Sequence, residues 1–218
     1  MKYLCKQAAE VLALCLVLPA IVFYRLGRLA LGAKAFPGWS QLFSLVPGLT
    51  GVYLRRNFYR FVLAGCGRDA CISFGTIFSH PSARIGNKVY VGAYCVLGDV
   101  TLEDDVLLGS QVSVINGAGQ HGIDRLDVPI REQAGSFPRI TIGRDSWIGE
   151  RAVIMADIGR HCVVAAGSVV TRPLADYAVA AGAPAKVLRY RLPSEQQESR
   201  ESKSESHEPV GALPQMGR

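Results

Sequence analysis

The sequence predicts an all-β core folded as a parallel β-helix, with an N-terminal helical apolar segment before it and a disordered C-terminal tail after it. Three observations carry that expectation. Aliphatic residues lead every sixth position through most of residues 85–170. A small or acidic residue follows most of those leaders. Composition changes at two points, dividing the chain into 1–68, 69–191 and 192–218.

The repeat decides the fold. Ile85, Val91, Leu97, Leu102, Leu108 and Val114 lead, six apart except for one step of five. Ile142, Ile148, Ile154, Ile158, Val164 and Val170 resume it, with one step of four. A helix would scatter positions six apart over different faces. A short strand can instead hold the leader and a second inward residue two before the next leader. Glycine after the leader then suits a turn with unusual backbone angles. Such strands bury nothing alone; each pairs with its equivalent one coil on. Sandwich strands recur about every 8–12 residues and keep no aliphatic-then-glycine phase.

Residues 1–68 carry nine Lys and Arg against a single acid, Glu10, a net +8, while the rest of the chain sums to −2 for a total of +6. The apolar run from Val11 to Tyr24 contains Pro19 and is short for a spanning helix, which needs about 20 apolar residues. A second run, Ala35 to Leu54, meets Arg55, Arg56 and Arg60 interleaved with Phe58, Tyr59 and Phe61. Basic residues among aromatics suit an anionic membrane surface. A helical cap on the core and a cleaved leader are the competing readings. The basic residues flank apolar runs and form no polar stripe, which argues against nucleic acid. Residues 192–218 lack aromatics and almost all large aliphatics, too little to offset ordering entropy.

The six cysteines, Cys5, Cys15, Cys66, Cys71, Cys95 and Cys162, form no CxxC pair and no zinc-ligand spacing. They read as reduced structural thiols. His80, His121, His161 and His207 are too scattered for a catalytic zinc, which needs about three protein ligands.

The repeat breaks at residues 115–139, INGAGQHGIDRLDVPIREQAGSFPR. A long insert in a compact repeat is usually functional or disordered. His121 sits in it between Gly117, Gly119 and Gly122. Acyl transfer from a thioester needs a base for the attacking hydroxyl or amine, and imidazole suits that task near neutrality. Asp124, Asp127 and Glu132 are the loop carboxylates that could orient it.

SWIGERAVI, GRHCVVAAGSVVTRPL and AVAAGAPAKVLRYR make residues 72–191 resemble the hexapeptide-repeat acyltransferases. That family includes galactoside, maltose and exopolysaccharide O-acetyltransferases and serine acetyltransferase. The resemblance implies a left-handed parallel β-helix. Handedness comes from the resemblance alone, since crossovers in general favour the right hand. It also implies a homotrimer with active sites in the clefts between subunits, acetyl-CoA as co-substrate and no metal. His121 would be the general base and Glu132, before the SFP run, its partner. Coenzyme A would lie on Gly149, Glu150, Ala166, Thr171, Arg172, Lys186 and Arg189. Tyr94 and Trp147 would face the acceptor; Asn116, by its own chemistry, could hydrogen-bond the acceptor or a thioester oxygen but reads first as a turn residue. Tyr94 stands near where relatives carry an asparagine, which leaves the acceptor class open.

The expected function is acetyl transfer to a hydroxyl (or amine) of a sugar or glycan precursor, in polysaccharide or cell-envelope synthesis. The expected place is the cytoplasmic face of the inner membrane. The alternatives are a non-catalytic scaffold of a membrane complex, and acetylation of a small xenobiotic or amino acid.

Overall fold

The computed structural model describes residues 2–191, with side chains from residue 7 onward. The tail expected at 192–218, and His207 in it, lie outside the described residues. Three parallel sheets form the flat faces of a β-helix of about six coils. The first stacks Gly65–Cys66, Arg84–Ile85, Val100–Leu102 and Ile140–Ile142, continued by bridges at Ile158 and Leu174. The second stacks Cys71–Ile72, Tyr90–Val91, Leu107–Leu108, Trp147–Ile148, Val163–Val164 and Ala178–Gly182. The third stacks Ile77–Phe78, Val96–Leu97, Ser113–Val114, Val153–Ile154 and Val169–Val170. The chain visits the faces in turn. Ala185–Tyr190 then folds back antiparallel on Ala178–Gly182.

All twelve leaders are buried, as are the second inward residues Val89, Cys95, Val106, Val112, Ala152 and Cys162. Each large aliphatic so buried contributes about 1.5–3 kcal/mol. Where the inward residue is polar, the backbone satisfies it. Thr76 Oγ1 donates to the Gly92 carbonyl at 2.7 Å and accepts from the Cys95 N–H at 3.1 Å. Ser146 does the same with Gly159 and Cys162, at 2.8 and 3.0 Å.

Two expectations about the repeat are corrected. The glycine after the leader does not supply an unusual backbone angle; it supplies room. A Cβ on Gly149 would stand 2.4 Å from the Ala166 nitrogen, and one on Gly143 2.6 Å from the Gly159 carbonyl carbon. The left-handed angles fall instead on a column of other residues, with φ of 62° at Asp105, 54° at Asp145, 57° at His161 and 67° at Tyr177. Each donates its N–H to the coil before, as His161 does to the Arg144 carbonyl at 2.8 Å. The repeat also starts a coil earlier than Ile85. Cys66, Ile72 and Phe78 are its first leaders, and His80 follows Phe78 in that first coil.

The N-terminal segment forms three helices, α1 (Lys2–Leu31), α2 (Phe36–Ser44) and α3 (Gly48–Val62). Helix α1 runs through Pro19 instead of stopping there. Proline removes one helical hydrogen bond and clashes with the preceding turn, but Ala13, Val17, Ile21 and Tyr24 around it are buried on one side of the helix and hold it in place. Among the described residues, Gln7–Ser44 is the one helical stretch long and apolar enough to cross a membrane, by length and composition.

Arg55, Arg56, Phe58 and Tyr59, expected at a membrane surface, are buried. They cap the β-helix. Arg55 donates from Nε to the Ile72 carbonyl at 2.8 Å and from Nη1 to those of Val46 and Phe43 at 2.6 and 3.1 Å. One guanidinium thereby ties α3 to the α2–α3 turn and to the first coil. Arg56 pairs with Glu10 of α1, and Asn57 Nδ2 donates to the same carboxylate at 2.9 Å. Phe58 stacks on Phe43 with centroids 4.2 Å apart, and Tyr59 meets Phe78 edge-on at 4.8 Å.

Candidate active site

The excursion 115–139 leaves from the corner between the third and first faces. Ile115 still donates to the Ile154 carbonyl at 2.8 Å, and Ile140 rejoins against Val100. Asn116 closes the base between them. It is buried; its Oδ1 accepts from the Asp99 N–H at 2.9 Å, and its Nδ2 donates to the carbonyls of Asp99 and Pro138 at 2.8 and 2.9 Å. Arg139 adds an ion pair with Asp99 at 3.1 Å. The Asn116 amide, which could have bonded the acceptor, is committed to holding the loop shut.

Beyond the base, two limbs of the loop lie against each other. The Ser136 N–H donates to the Gly119 carbonyl at 2.8 Å. A Cβ on Gly135 would fall 1.9 Å from the Gln120 oxygen, and one on Gly122 2.9 Å from the Ala134 oxygen. Glycines therefore permit the approach on both sides of His121. Gln133 staples the far end: its Nε2 donates to the carbonyls of Arg125 and Val128 at 2.7 and 3.0 Å, and its Oε1 accepts from the Arg125 N–H at 3.1 Å. His121 is exposed, its ring edge-on to Phe137 at 6.4 Å.

The expected orienting carboxylate is not bonded to the imidazole in this structure. Glu132 ends a single helical turn, Ile130–Glu132, and pairs with Arg131 at 3.5 Å. Asp127 is engaged by Arg125, whose guanidinium holds its carboxyl below the usual carboxylate range. Among the described residues, no carboxylate is bonded to the His121 imidazole. The chain presents His121 through backbone packing and Phe137, not through a side-chain acid.

The expected coenzyme A residues fall in three places. Thr171 and Arg172, both exposed, follow Val170 on the corner from which the His121 loop springs. Their strand lies two rungs from that of Val114, roughly 10 Å away at the usual strand spacing. Gly149, Glu150 and Ala166 share the next corner, where the Gly167 N–H donates to the Glu150 carbonyl at 2.8 Å. Lys186 and Arg189 lie on the closing antiparallel strand and are exposed. Trp147 projects from the second face above Leu107, beside a cavity of about 260 Å³ lined also by Asp105, Asp145, Val163 and Arg191. Tyr94 stands at a corner with φ of 59°, edge-on to Phe74 at 5.5 Å. Within one chain, Tyr94, Trp147 and His121 are not brought together.

Sequence reasoning missed Gln133, Phe137, Asp99 and Arg139 as supports of the loop. It also missed the corner cluster in which His161 Nδ1 meets Asp145 Oδ2 at 2.9 Å and stacks on Tyr177 at 5.1 Å. Burial raises the Cys95 and Cys162 thiols, and both point into the core.

Residues 139–172 match a family model described as the hexapeptide repeat of succinyl-transferase. A probable acetyltransferase of Mycobacterium tuberculosis is 34% identical over 122 residues, which is 53% of this chain and 40% of that relative. The chain thus spans less than half the length of that relative. The galactoside O-acetyltransferase of Escherichia coli is 32% identical over 142 residues, 62% of this chain and 68% of the relative. Among solved structures, a hexapeptide-repeat acetyltransferase of Vibrio cholerae complexed with acetyl coenzyme A superposes with a TM-score of 0.62 at 22% identity, over 74% of this chain and 88% of that one. Taken with the coils, their leaders and the single long excursion, the identity and coverage of the galactoside relative mean that this chain belongs to the hexapeptide-repeat acetyltransferase family.

Proposed function

We propose that the protein transfers an acetyl group from acetyl-CoA to a hydroxyl of a sugar or glycan precursor. One observation carries this reading. His121 is exposed on a glycine-shaped loop that springs from the same corner as Thr171 and Arg172. The similarity to a galactoside O-acetyltransferase supports a sugar as acceptor. The V. cholerae structure holds acetyl coenzyme A, which supports the donor.

In the reaction, a His121 ring nitrogen takes the proton as the acceptor oxygen attacks the thioester carbonyl. The C–S bond then breaks, and the proton passes to the departing thiolate. No enzyme nucleophile is needed. Arg172, Lys186 and Arg189 are exposed cations for coenzyme A phosphates, while the backbone at Gly149 and Ala166 suits the extended pantetheine arm.

His121, Trp147 and Tyr94 lie apart within one chain, so the site is completed by a neighbouring subunit in a homotrimer. The in-register exposed ladder of Tyr90, Leu107 and Trp147 supplies an apolar face for that packing. The protein works at the cytoplasmic surface of the membrane, where acceptors carried on lipid are made. The five cysteines whose side chains are described are free, which suits that compartment.

Free-thiol release from acetyl-CoA with galactosides and sugar nucleotides as acceptors tests the reading. Acceptor-dependent release that is lost in His121→Ala is expected. Acceptor-dependent release equal in the two proteins would overturn it.

A further inference from the structure

We infer that the outer arc of α1 is the membrane seat, and that the helix lies in the plane of an anionic leaflet instead of crossing it. The inference rests on the membrane association proposed above and names the face, depth and lipid charge responsible.

The inner side of α1 packs on α3 through Ala13, Val17, Ile21 and Tyr24. At 100° per residue, Leu18, Val22, Leu26, Leu12, Phe23 and Leu16 spread over an opposite arc about 160° wide. All six are exposed. No charged residue falls on that arc from Ala8 to Leu29. A surface helix of a water-soluble protein carries its polar residues there; this one is apolar on both sides. The patch continues sideways. A groove of about 230 Å³ runs from Leu12 and Leu16 to Leu49 and Leu54 of α3, and Leu42, Leu45 and Leu49 are exposed around the α2–α3 turn. A continuous apolar surface of this kind marks an interaction site.

Charge selects the occupant. Glu10 is the only acid in residues 1–68, and Arg56 engages it. Arg28 and Lys34, exposed at the end of α1 and just beyond, have no acid in this layer to meet. Two copies meeting there would bring together two layers of net positive charge, whereas an anionic lipid surface attracts one.

The internal ties of α1 set the depth. Glu10 is held by Arg56 and Asn57, and Arg25 Nη2 donates to the Phe61 carbonyl at 2.7 Å. Those bonds fasten both ends of the inner face to α3, which Arg55 fastens to the first coil. A spanning α1 would have to break them or draw α3 and its arginines into hydrocarbon. An in-plane α1 keeps every one and buries only the outer arc.

The test is flotation of the full chain with vesicles of equal parts phosphatidylcholine and phosphatidylglycerol, and with phosphatidylcholine alone. The wild type should float with the anionic vesicles, more weakly with the neutral ones, and be released by alkaline carbonate. Leu18→Glu/Leu26→Glu should lower partitioning by about tenfold or more while thiol release from acetyl-CoA persists, which reports an intact fold. Wild-type protein that never floats overturns membrane association itself. Flotation unchanged in the double variant overturns the assigned face. Carbonate-resistant protein overturns the in-plane depth. A lipid-free higher oligomer that the double variant dissolves overturns the lipid in favour of a second copy.

Discussion

Asn116 and Asp99 exchange two hydrogen bonds, amide to backbone, that close the neck of the His121 loop. Asn116 Nδ2 donates to the Asp99 carbonyl at 2.8 Å, and the Asp99 N–H returns to Asn116 Oδ1 at 2.9 Å. Asn116→Asp keeps the acceptor and removes both donors, including the one to Pro138. Setting a carboxylate against two part-buried carbonyls in place of their donor costs about 1–3 kcal/mol. The variant should melt several degrees lower and lose turnover through a loosened loop, with KM for acetyl-CoA nearly unchanged. Calorimetry and steady-state kinetics on the same preparation read both. A full-rate variant would separate the neck from the chemistry.

His121→Ala should cost about 10²–10⁴ in kcat, the usual contribution of a positioned general base. Its melting temperature should stay within a degree or two, because the imidazole is exposed and meets Phe137 edge-on with ring centroids 6.4 Å apart. Glu132→Gln should cost far less, since that carboxylate meets Arg131 and not the imidazole. Equal losses in the two variants would restore Glu132 as the orienting acid.

Gly143→Ala isolates the physical cause of the repeat. The added methyl would stand 2.6 Å from backbone of the next coil, which cannot yield as a side chain could. A loss of about 1–3 kcal/mol is expected by denaturant unfolding, in the range of overpacked cores. A near-neutral result would mean that the glycine serves its backbone angle after all.

How much of this was legible follows from how local each cause is. The leaders were readable because the same requirement recurs at each strand, so the phase survives individual substitutions. The first coil was missed because Cys66 and Phe78 stand where aliphatics were sought, and because Ile85 follows Phe78 after seven residues instead of six. The place of His121 was readable as an interruption. Gln133 was not, since nothing in its own neighbourhood announces that its amide will reach Arg125 and Val128. Arg55 misled outright. In sequence, a charge beside aromatics looks solvated; in the fold, three backbone carbonyls from distant positions converge on it.

That convergence is measurable. Arg55→Met should cost about 2–4 kcal/mol, because the Ile72, Val46 and Phe43 carbonyls lose their donor. Acetyl transfer at temperatures below the transition should persist, since the cap and the loop sit on different coils. Unchanged stability would mean that water replaces the guanidinium without penalty.

Thiol reactivity offers a check on the cap from another direction. Burial pushes the Cys66 thiol up to about 12 from 9.0. A thiol raised on folding favours the folded state while it stays protonated, so this contribution is intact below pH 9.0 and is lost as pH climbs toward about 12. In a Cys5→Ser chain at pH 8, exposed Cys15 should react fast with a soluble disulfide reagent, and Cys66 only after denaturation. Rapid native labelling of Cys66, read by peptide mapping, would show an open cap.

The excursion leaves after Val114 and rejoins at Ile140 without disturbing the ladder on either side, since Ile115 already bonds Ile154 and Ile140 already pairs with Val100. The coils therefore do not count the residues between. Residues 117–138 can change in number and kind at little expense to the scaffold. One residue deleted between Leu102 and Val114 would turn inward side chains outward until the next corner. Within one polypeptide, insertions are cheap in the loop that carries His121 and costly a few residues away, so under the proposed function new acceptor preferences can be explored by exchanging a loop instead of redesigning a fold.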